Sequence, residues 1–304
     1  MSLYPNVYFE GKFVSAEKAK ISVSTHAFLY GTSVFEGIRA YWNEKEGKSY
    51  IFRPLEHYQR LKQSAKILRI EIKQSPEQLV ELTKELINLN KPKEDAYIRP
   101  IAYKADLRIG PALLNNKDEF CLFALPMGDY IDTTKGISVT VSSWRRVEDN
   151  AIPARAKIAG SYVNTALAKT DALLSNFADA IVLDERGHVA EGSAMNLILV
   201  RNGKLITSPV TDNILEGITR STIIQLAKDE LGLETEERTI DRTELYIADE
   251  MFFCGTGAQI SPITSVDYYK IGDGEVGAIT TKLKDLYFAL VHNQLPKYSN
   301  WCIS

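Results

Sequence analysis

A lysine surrounded by small residues is the first candidate for chemistry in this sequence. Lys157 stands within residues 153–164, just ahead of a predicted helix, and Tyr162 follows it five places on. The amine of a lysine becomes nucleophilic when burial or nearby cations lower its pKa. Small neighbours would also leave room for a planar ligand. A lysine in a loop is more often simply solvated, so the residues alone leave both interpretations open.

Three strand-like segments in the second half of the chain end in clusters of glycine, serine and threonine. The clusters are residues 191–193, 216–221 and 254–257. Glycine permits close approach of the backbone, and the free N–H groups at a helix start attract an anion. Gly217-Ile218-Thr219 is therefore either an anion site or an ordinary helix N-cap. No Walker loop is present, and no GxGxxG motif follows a strand, so these two nucleotide-binding loops are not indicated.

The composition excludes several classes of protein. The 304 residues carry 36 Lys and Arg against 39 Asp and Glu, a net charge of −3, which disfavours binding to nucleic acid through a basic surface. Three cysteines and four histidines without CxxC or HExxH spacing indicate neither a metal site nor a disulfide framework. No signal-peptide pattern or membrane-length apolar run is present, so we expect a soluble protein of the cytoplasm.

The sequence pattern predicts a mixture of helices and strands that positions these candidate residues. The length exceeds the size at which a single core stops growing, so two domains are expected. Helical spacing of apolar residues starts at Pro54, and the capping box Ser75-Pro76-Glu77-Gln78 starts a second helix. Glu10-Gly11 and Asn202-Gly203 are typical of hairpin turns. Further helices are expected at residues 164–174, 217–231 and 279–292, and strands at residues 7–9, 38–42, 50–52, 96–105, 120–125 and 137–141.

Several motifs, taken in order, resemble one known family. Residues 30–41, YGTSVFEGIRAY, strongly resemble the N-terminal signature of the branched-chain amino-acid aminotransferases, which are pyridoxal 5'-phosphate (PLP) enzymes of fold type IV. The match continues through residues 57–61, 96–100, the lysine segment, 191–193, 217–220 and 255–256. Each motif is weak alone, but their order and spacing make coincidence untenable. The resemblance spans nearly the whole chain, from residue 6 to residue 292.

The resemblance assigns a cofactor site. It identifies Lys157 as the Schiff-base lysine and proton shuttle, Tyr162 as the partner of the phenolic oxygen of PLP, and Glu191 as the carboxylate at the pyridine nitrogen. A carboxylate there keeps the ring nitrogen protonated, and a guanidinium with oriented N–H groups suits a phosphate dianion. The residues matched to the phosphate are Arg60, Ile218, Thr219 and Thr256.

The substrate side distinguishes the subfamilies of this fold. Tyr97 and Arg99 alternate on a predicted strand and project to one face. This resembles the branched-chain family and differs from the D-amino-acid aminotransferases, the (R)-amine aminotransferases and the aminodeoxychorismate lyases. By resemblance, Arg99, with Tyr30 from a second subunit, receives the distal carboxylate of glutamate. The remaining assignments are Tyr97, Thr256 and Gly257 to the substrate α-carboxylate, and Phe35, Gly37 and Tyr130 to the side-chain pocket.

The resemblance also implies a fold and an activity. The fold is α/β, with a small α+β domain at residues 1–125, an interdomain loop at 126–136 and a larger, pseudo-barrel-like α/β domain at 137–304. The activity is PLP-dependent transamination of L-leucine, L-isoleucine and L-valine with 2-oxoglutarate, giving branched-chain 2-oxo acids and L-glutamate. The alternative is a D-amino-acid or (R)-amine aminotransferase of the same fold. A scaffold without catalysis is disfavoured, because every residue that the chemistry requires is present.

The implied assembly is at least a homodimer, because Tyr30 and the loop at residues 107–109 would be shared across the interface. The sequence does not decide between a dimer and a hexamer.

Two departures from the family pattern bear on the site. Met127 replaces a tryptophan found in some bacterial members, which leaves the preferred side chain open. Ala194-Met195 replaces the usual Gly-Glu pair, which removes a charge expected near the cofactor.

Overall fold

The computed structural model describes residues 2–128 and 135–304 of the chain. Two compact units are present within this part. The first contains residues 2–128, 156–160 and 289–304, and the second contains residues 135–155 and 161–288. The assignment of residues 1–125 and 137–304 to two domains joined at 126–136 stays a prediction. No helix in the described residues is long and apolar enough to cross a membrane.

The helices and strands follow one another in an irregular alternation. Up to residue 128 they are β1 (Asn6–Phe9), β2 (Lys12–Ser15), α1 (His26–Tyr30), β3 (Ser33–Phe35), β4 (Ile38–Asn43), β5 (Lys48–Phe52), α2 (Pro54–Ile67), α3 (Pro76–Asn90), β6 (Ala96–Lys104) and β7 (Asp118–Pro126). From residue 135 they are β8 (Ile137–Val141), α4 (Tyr162–Leu174), β9 (Asp179–Leu183), β10 (Val189–Gly192), β11 (Asn196–Arg201), β12 (Lys204–Thr207), α5 (Ile218–Leu231), β13 (Thr235–Glu237), β14 (Glu250–Gly255), β15 (Gln259–Val266), β16 (Tyr269–Lys270), α6 (Ala278–Val291) and β17 (Cys302–Ile303). Short 3-10 helices lie at Ala16–Lys18, Ala159–Ser161, Arg242–Ile247 and Pro296–Trp301.

The first unit is an antiparallel sheet in the order β17-β5-β4-β6-β7-β1-β2, and β3 also pairs with β6. Helices α2 and α3 pack together and against strands of this sheet. They bury apolar residues such as Leu61, Leu79 and Leu86. The capping box is confirmed, because the Ser75 hydroxyl accepts from the Gln78 N–H while the Gln78 side chain accepts from the Ser75 N–H.

The last strand of the first unit is supplied from residues far along the chain. Cys302 and Ile303 pair with Phe52 and Ile51 of β5. Just beyond β5, the Arg53 N–H donates to the Trp301 carbonyl at 2.7 Å, and the Arg53 guanidinium stacks 4.5 Å from the Trp301 ring. Arg53 is the residue before α2 and has a left-handed backbone (φ 46°). Residues 301–303 therefore fix the backbone just before α2.

The second unit is a mixed sheet in the order β10-β9-β8-β15-β14-β11-β12-β13, with β16 paired to β15. The Val189 N–H of β10 donates to the Ile240 carbonyl just after β13, and the Ser208 hydroxyl after β12 donates to the Val189 carbonyl. Hydrogen bonds thus connect the two ends of the sheet, as expected for a sheet that closes toward a barrel. The predicted α/β fold with a pseudo-barrel-like second half is confirmed.

Candidate active site

Lys157 belongs to the first unit, although it follows the predicted linker by some distance. Its carbonyl accepts from the Phe35 N–H at 3.1 Å, and its own N–H donates to the Ser64 hydroxyl at 3.1 Å. A β-bridge joins Val34 to Ile158. The half-buried side chain places its Nζ atom 5.0 Å from the centre of the Phe35 ring. The backbone of the lysine is therefore fixed by β3 on one side and by α2 on the other.

Two glycines let the turn after α1 approach this segment. Gly31 ends α1 with a left-handed backbone (φ 67°), and its carbonyl accepts from the Gly160 N–H at 3.2 Å. A Cβ atom on Gly31 would lie 2.7 Å from the Gly160 Cα atom, closer than real side chains allow. The close approach therefore requires glycine at position 31.

One face of α2 carries three buried polar side chains directed at β3 and the lysine segment: His57, Arg60 and Ser64. Arg60 donates through Nε and Nη2 to the two carboxylate oxygens of Glu36, each at 2.7 Å. The Nδ1 atom of His57 lies 2.8 Å from Glu36 Oε2. The resemblance assigned a role to Arg60 alone, although its motifs also contain Glu36 and His57. The structure adds these two residues to the site as a fully buried carboxylate and a buried histidine.

The ionisation of this cluster is set by burial and by its charges. Burial raises the pKa of the Glu36 carboxyl, but the Arg60 guanidinium and the hydrogen bonds from His57 and Arg60 outweigh it, so the net shift is downward. Burial lowers the pKa of His57, while the Glu36 bond opposes that change and Arg60 reinforces it. Glu36 is therefore an anion and His57 a neutral ring at neutral pH.

Arg99 lies in a polar and aromatic setting on β6. Its guanidinium stacks 4.2 Å from the centre of the Phe35 ring, and Nη2 donates to the Tyr97 hydroxyl at 2.7 Å. A Cβ atom on Gly37 would collide with the Tyr97 hydroxyl and ring, so a glycine is needed there. Among the described residues, no acceptor is bonded to the buried Arg99 Nε. The structure thus brings Phe35, Gly37, Tyr97 and Arg99 together, and Lys157 also lies against Phe35.

Tyr30 is placed at the end of α1, next to the loop that follows β6. Its hydroxyl accepts from the Gly110 N–H at 2.8 Å, and its ring packs on His26 at 4.8 Å between centres. It is 37% exposed. Tyr130, predicted to line the side-chain pocket, lies outside the described residues.

Glu191 is buried in β10 of the second unit. Its Oε1 atom pairs with Arg146 Nε at 3.0 Å, and Oε2 accepts from Asn196 Nδ2 at 3.0 Å and from the Leu215 N–H at 3.3 Å. The carboxylate is thus held by fixed donors. Sequence reasoning missed Arg146 and Asn196, and the Asn at the start of the strand after Glu191-Gly192-Ser193 was the available signal for the second.

The start of α5 lies beside the partners of Glu191. Gly217 is its N-cap, Ile218 and Thr219 are buried in its first turn, and that turn contains no acidic residue. A Cβ atom on Gly217 would collide with Asn196 Oδ1, so the glycine is required for close packing. Such a helix start attracts an anion. Of the other predicted residues in this unit, Tyr162 opens α4, and Thr256 and Gly257 form the turn after β14.

Comparison with known proteins decides the family. The family model described as amino-transferase class IV matches residues 33–266, most of the chain. The chain is a class IV aminotransferase.

Relatives of this class IV aminotransferase match it over nearly their full length. A protein of Aquifex aeolicus named "Probable branched-chain-amino-acid aminotransferase" is 51% identical over 97% of this chain and 94% of its own. The branched-chain aminotransferase of Thermoproteus uzoniensis with norvaline superposes with a TM-score of 0.94 at 39% identity, covering 99% of both chains. The branched-chain amino acid aminotransferase of Thermobaculum terrenum in its PLP form superposes with a TM-score of 0.95 at 36% identity, covering 99% of this chain and 98% of that one.

Both units of this class IV aminotransferase contain groups whose chemistry suits PLP. In the first, the carboxylate of Glu36 holds a buried arginine, and the amine of Lys157 lies against the Phe35 ring. In the second, a helix start without acidic residues suits a phosphate, and the buried carboxylate of Glu191 suits a protonated ring nitrogen. The chemistry of the available donors and acceptors therefore agrees with the cofactor.

Acid is expected to destabilise this aminotransferase partly through His57. The folded state keeps His57 neutral, whereas the unfolded chain binds a proton as the pH falls below about 6.5. The unfolded state thus takes up more protons, and the free energy of unfolding falls from pH 7 toward pH 5. Denaturant unfolding across this range should show a shallower fall for His57→Gln than for the wild type. His188→Gln, which alters a more exposed histidine, is the control, and an unchanged slope in His57→Gln would contradict the assignment.

Proposed function

We propose that this protein is a PLP-dependent branched-chain-amino-acid aminotransferase. It transfers the amino group of L-leucine, L-isoleucine or L-valine to 2-oxoglutarate, giving the branched-chain 2-oxo acid and L-glutamate. The observation that carries this proposal is the near-full-length identity with a relative of that name, 51% over 97% of the chain. The D-amino-acid and (R)-amine alternatives receive no support from the relatives described above.

The cofactor is PLP, and we propose the residues that hold it. Arg60, with the start of α5 at Ile218 and Thr219 and with Thr256, binds the phosphate. Glu191 holds a proton on the ring nitrogen, and Tyr162 bonds the phenolic oxygen. The buried pairing of Glu191 with Arg146 and Asn196 supports this role, because it fixes the carboxylate in one orientation.

Lys157 is proposed as the catalytic residue. When bound, PLP withdraws electrons from the substrate and so stabilises negative charge at Cα. The Nζ atom of Lys157 removes the proton from Cα and carries it across to the carbon that accepts it. The hydrogen bonds from the Phe35 N–H and to the Ser64 hydroxyl support this role, because they hold the lysine backbone in place.

One pocket is proposed to accept two kinds of side chain. Phe35 and Gly37 line an apolar wall for the branched side chains, and Tyr97 with Thr256 and Gly257 binds the α-carboxylate. Arg99 receives the second carboxylate of glutamate. The buried Arg99 Nε, which has no acceptor among the described residues, supports this assignment because a buried donor needs a partner. A pocket of this kind separates single methylenes by only about 1–3 kcal/mol, so all three branched amino acids should react.

The donor range tests the proposed function. Purified protein should be yellow, and its absorption band should disappear with L-leucine and return with 2-oxoglutarate. L-Leucine, L-isoleucine and L-valine should all react much faster than D-alanine or (R)-1-phenylethylamine. A colourless protein, or D-alanine as the best donor, would overturn the proposal.

A homodimer is also proposed, and an exposed apolar surface in the first unit supports it. The surface is formed by residues 23–30, which include α1, and by the loop after β6, and these are joined by a Thr25–Leu107 bridge and a His26–Gly110 hydrogen bond. Large apolar patches of this kind mark interfaces. Its exposed apolar residues are Val23, Phe28, Leu29, Leu107, Ile109 and Leu114.

The substitution Ile109→Asp is expected to shift the protein toward monomer and lower its activity, because Ile109 is 84% exposed and a buried charge at an interface is costly. Light scattering coupled to gel filtration would measure the mass of each variant. Leu89→Asp on α3, also at an exposed apolar residue, is the matched control and should stay dimeric. A wild-type protein that is monomeric would contradict the homodimer.

We further propose a cytoplasmic location. Cys121, Cys254 and Cys302 are all free thiols, which is typical of proteins in a reducing compartment. Burial raises the pKa of Cys121 and of Cys254 to about 12, which also protects these thiols from oxidation. Cell fractionation with an antibody to the protein would test the location.

A further inference from the structure

Glu36 is a charged residue with no exposed surface at all. It lies between β3 and β4, where its N–H donates to the Pro100 carbonyl at 3.0 Å. Its two oxygens receive both the Arg60 fork and His57 Nδ1. Burying such a group is costly, and apolar replacements of buried ion pairs are often as stable or more so. Stability alone therefore gives a weak reason for this arrangement.

Geometry gives a stronger reason. A carboxylate that accepts from Nε and from one Nη fixes the plane of a guanidinium in a way that a single hydrogen bond cannot. His57 stands one helical turn before Arg60 on α2, so it bonds the same carboxylate from the same face. The arginine side chain consequently has one orientation before any ligand arrives.

The same short stretch of chain also holds Lys157. Phe35, the neighbour of Glu36, donates its N–H to the Lys157 carbonyl, and its ring lies 5.0 Å from Lys157 Nζ. Ser64, one turn after Arg60 on α2, accepts from the Lys157 N–H. A single β3–α2 contact thus positions both the arginine and the lysine.

We propose that Glu36 is the positioning residue for Arg60, and that with His57 it sets the affinity of the site for the phosphate group of its ligand. This proposal rests on the proposed PLP function. Phosphate recognition depends on a guanidinium oriented in advance, because no binding free energy is then lost in ordering it. Removing the carboxylate removes the two hydrogen bonds that fix the plane of the Arg60 guanidinium.

The test compares two ligands that differ only in the phosphate. Apo-protein is titrated with PLP and with pyridoxal, and the yellow absorption band gives each Kd. For Glu36→Gln, the Kd of PLP should rise about 10- to 100-fold, the usual range for loss of a charged hydrogen bond. The Kd of pyridoxal should change less than about threefold, because pyridoxal has no phosphate for Arg60 to bind.

A double-mutant cycle separates positioning from a structural role. Arg60→Ala should show the same selective loss, and Glu36→Gln should add little to it, because both act on one interaction. Equal weakening of PLP and pyridoxal, or an unchanged Kd for PLP, would overturn the proposal. Glu36→Asp keeps the charge but shortens the side chain, so it should give an intermediate ratio and serves if Glu36→Gln does not fold.

Failure of this inference is distinguishable from failure of the proposed function. A wild-type protein that binds no PLP or does not transaminate L-leucine would contradict the proposed function itself. If the wild type does both, and Glu36→Gln leaves the ratio of the Kd values of PLP and pyridoxal unchanged, only the positioning role of Glu36 is contradicted.

Discussion

Alanine in place of Lys157 is expected to lower turnover with L-leucine and 2-oxoglutarate by about 10²- to 10⁴-fold. The variant loses the amine that moves the proton at Cα, and proton transfer by a placed side chain accounts for an effect of this size. The Phe35 and Ser64 hydrogen bonds are made by the lysine backbone, so the fold should persist. Steady-state kinetics would measure the loss.

Two controls sharpen this result. Lys66→Ala removes an exposed lysine from α2 and should leave turnover within about twofold, as most surface substitutions do. Thermal unfolding of Lys157→Ala should match the wild type closely when both are measured without PLP, because bound cofactor would itself stabilise the wild type. Turnover above about one hundredth of the wild-type rate in Lys157→Ala would contradict a catalytic role, since general acid–base catalysis contributes at least that factor.

Replacing Arg99 by glutamine is expected to slow the half-reaction with 2-oxoglutarate much more than the half-reaction with L-leucine. The guanidinium on Phe35 is proposed to bind only the second carboxylate of glutamate. Loss of one member of a buried charge pair costs about 2–5 kcal/mol, so kcat/KM for 2-oxoglutarate should fall about 30- to 5,000-fold. For L-leucine, which has no second carboxylate, it should fall less than about tenfold. Single-turnover measurements with each substrate would give both values.

Arg99→Lys is the matched comparison for Arg99→Gln. It keeps the charge but loses the planar group that stacks on Phe35 and bonds the Tyr97 hydroxyl, so it should recover only part of the lost activity. Equal losses for leucine and 2-oxoglutarate in Arg99→Gln would show that Arg99 acts through Tyr97 on both substrates. That result would exclude the proposed division of the pocket.

Local signals in the sequence predicted the elements well because their physics is local. The capping box at Ser75 and the left-handed Gly232 that ends α5 depend on neighbours within a few residues. Asn202 and Gly203 both have positive φ, as the hairpin turn requires. The helix predicted at residues 164–174 begins two residues earlier, at Tyr162, because a 3-10 turn leads into it.

Contacts between distant segments could not be predicted in this way. Lys157 joins the first unit through a hydrogen bond to Phe35, which no local pattern encodes. Glu36 stands in the recognisable motif, but its complete burial depends on α2 bringing His57 and Arg60 to it. The short strand at Cys302–Ile303 has too few residues for any periodic signal. The resemblance supplied the site residues, and the structure supplied the groups that hold them.

The late strand β17 bears on how the chain folds during synthesis. Strand β5 emerges from the ribosome early, but its edge partner and the Trp301 carbonyl that holds Arg53 arrive only after the second unit has been made. At about 5–20 residues per second, that edge stays open for many seconds. An exposed strand edge is a site for wrong pairing with other chains. Ribosome-bound nascent chains should therefore need protection there, and the second unit is expected to reach its native state before the first.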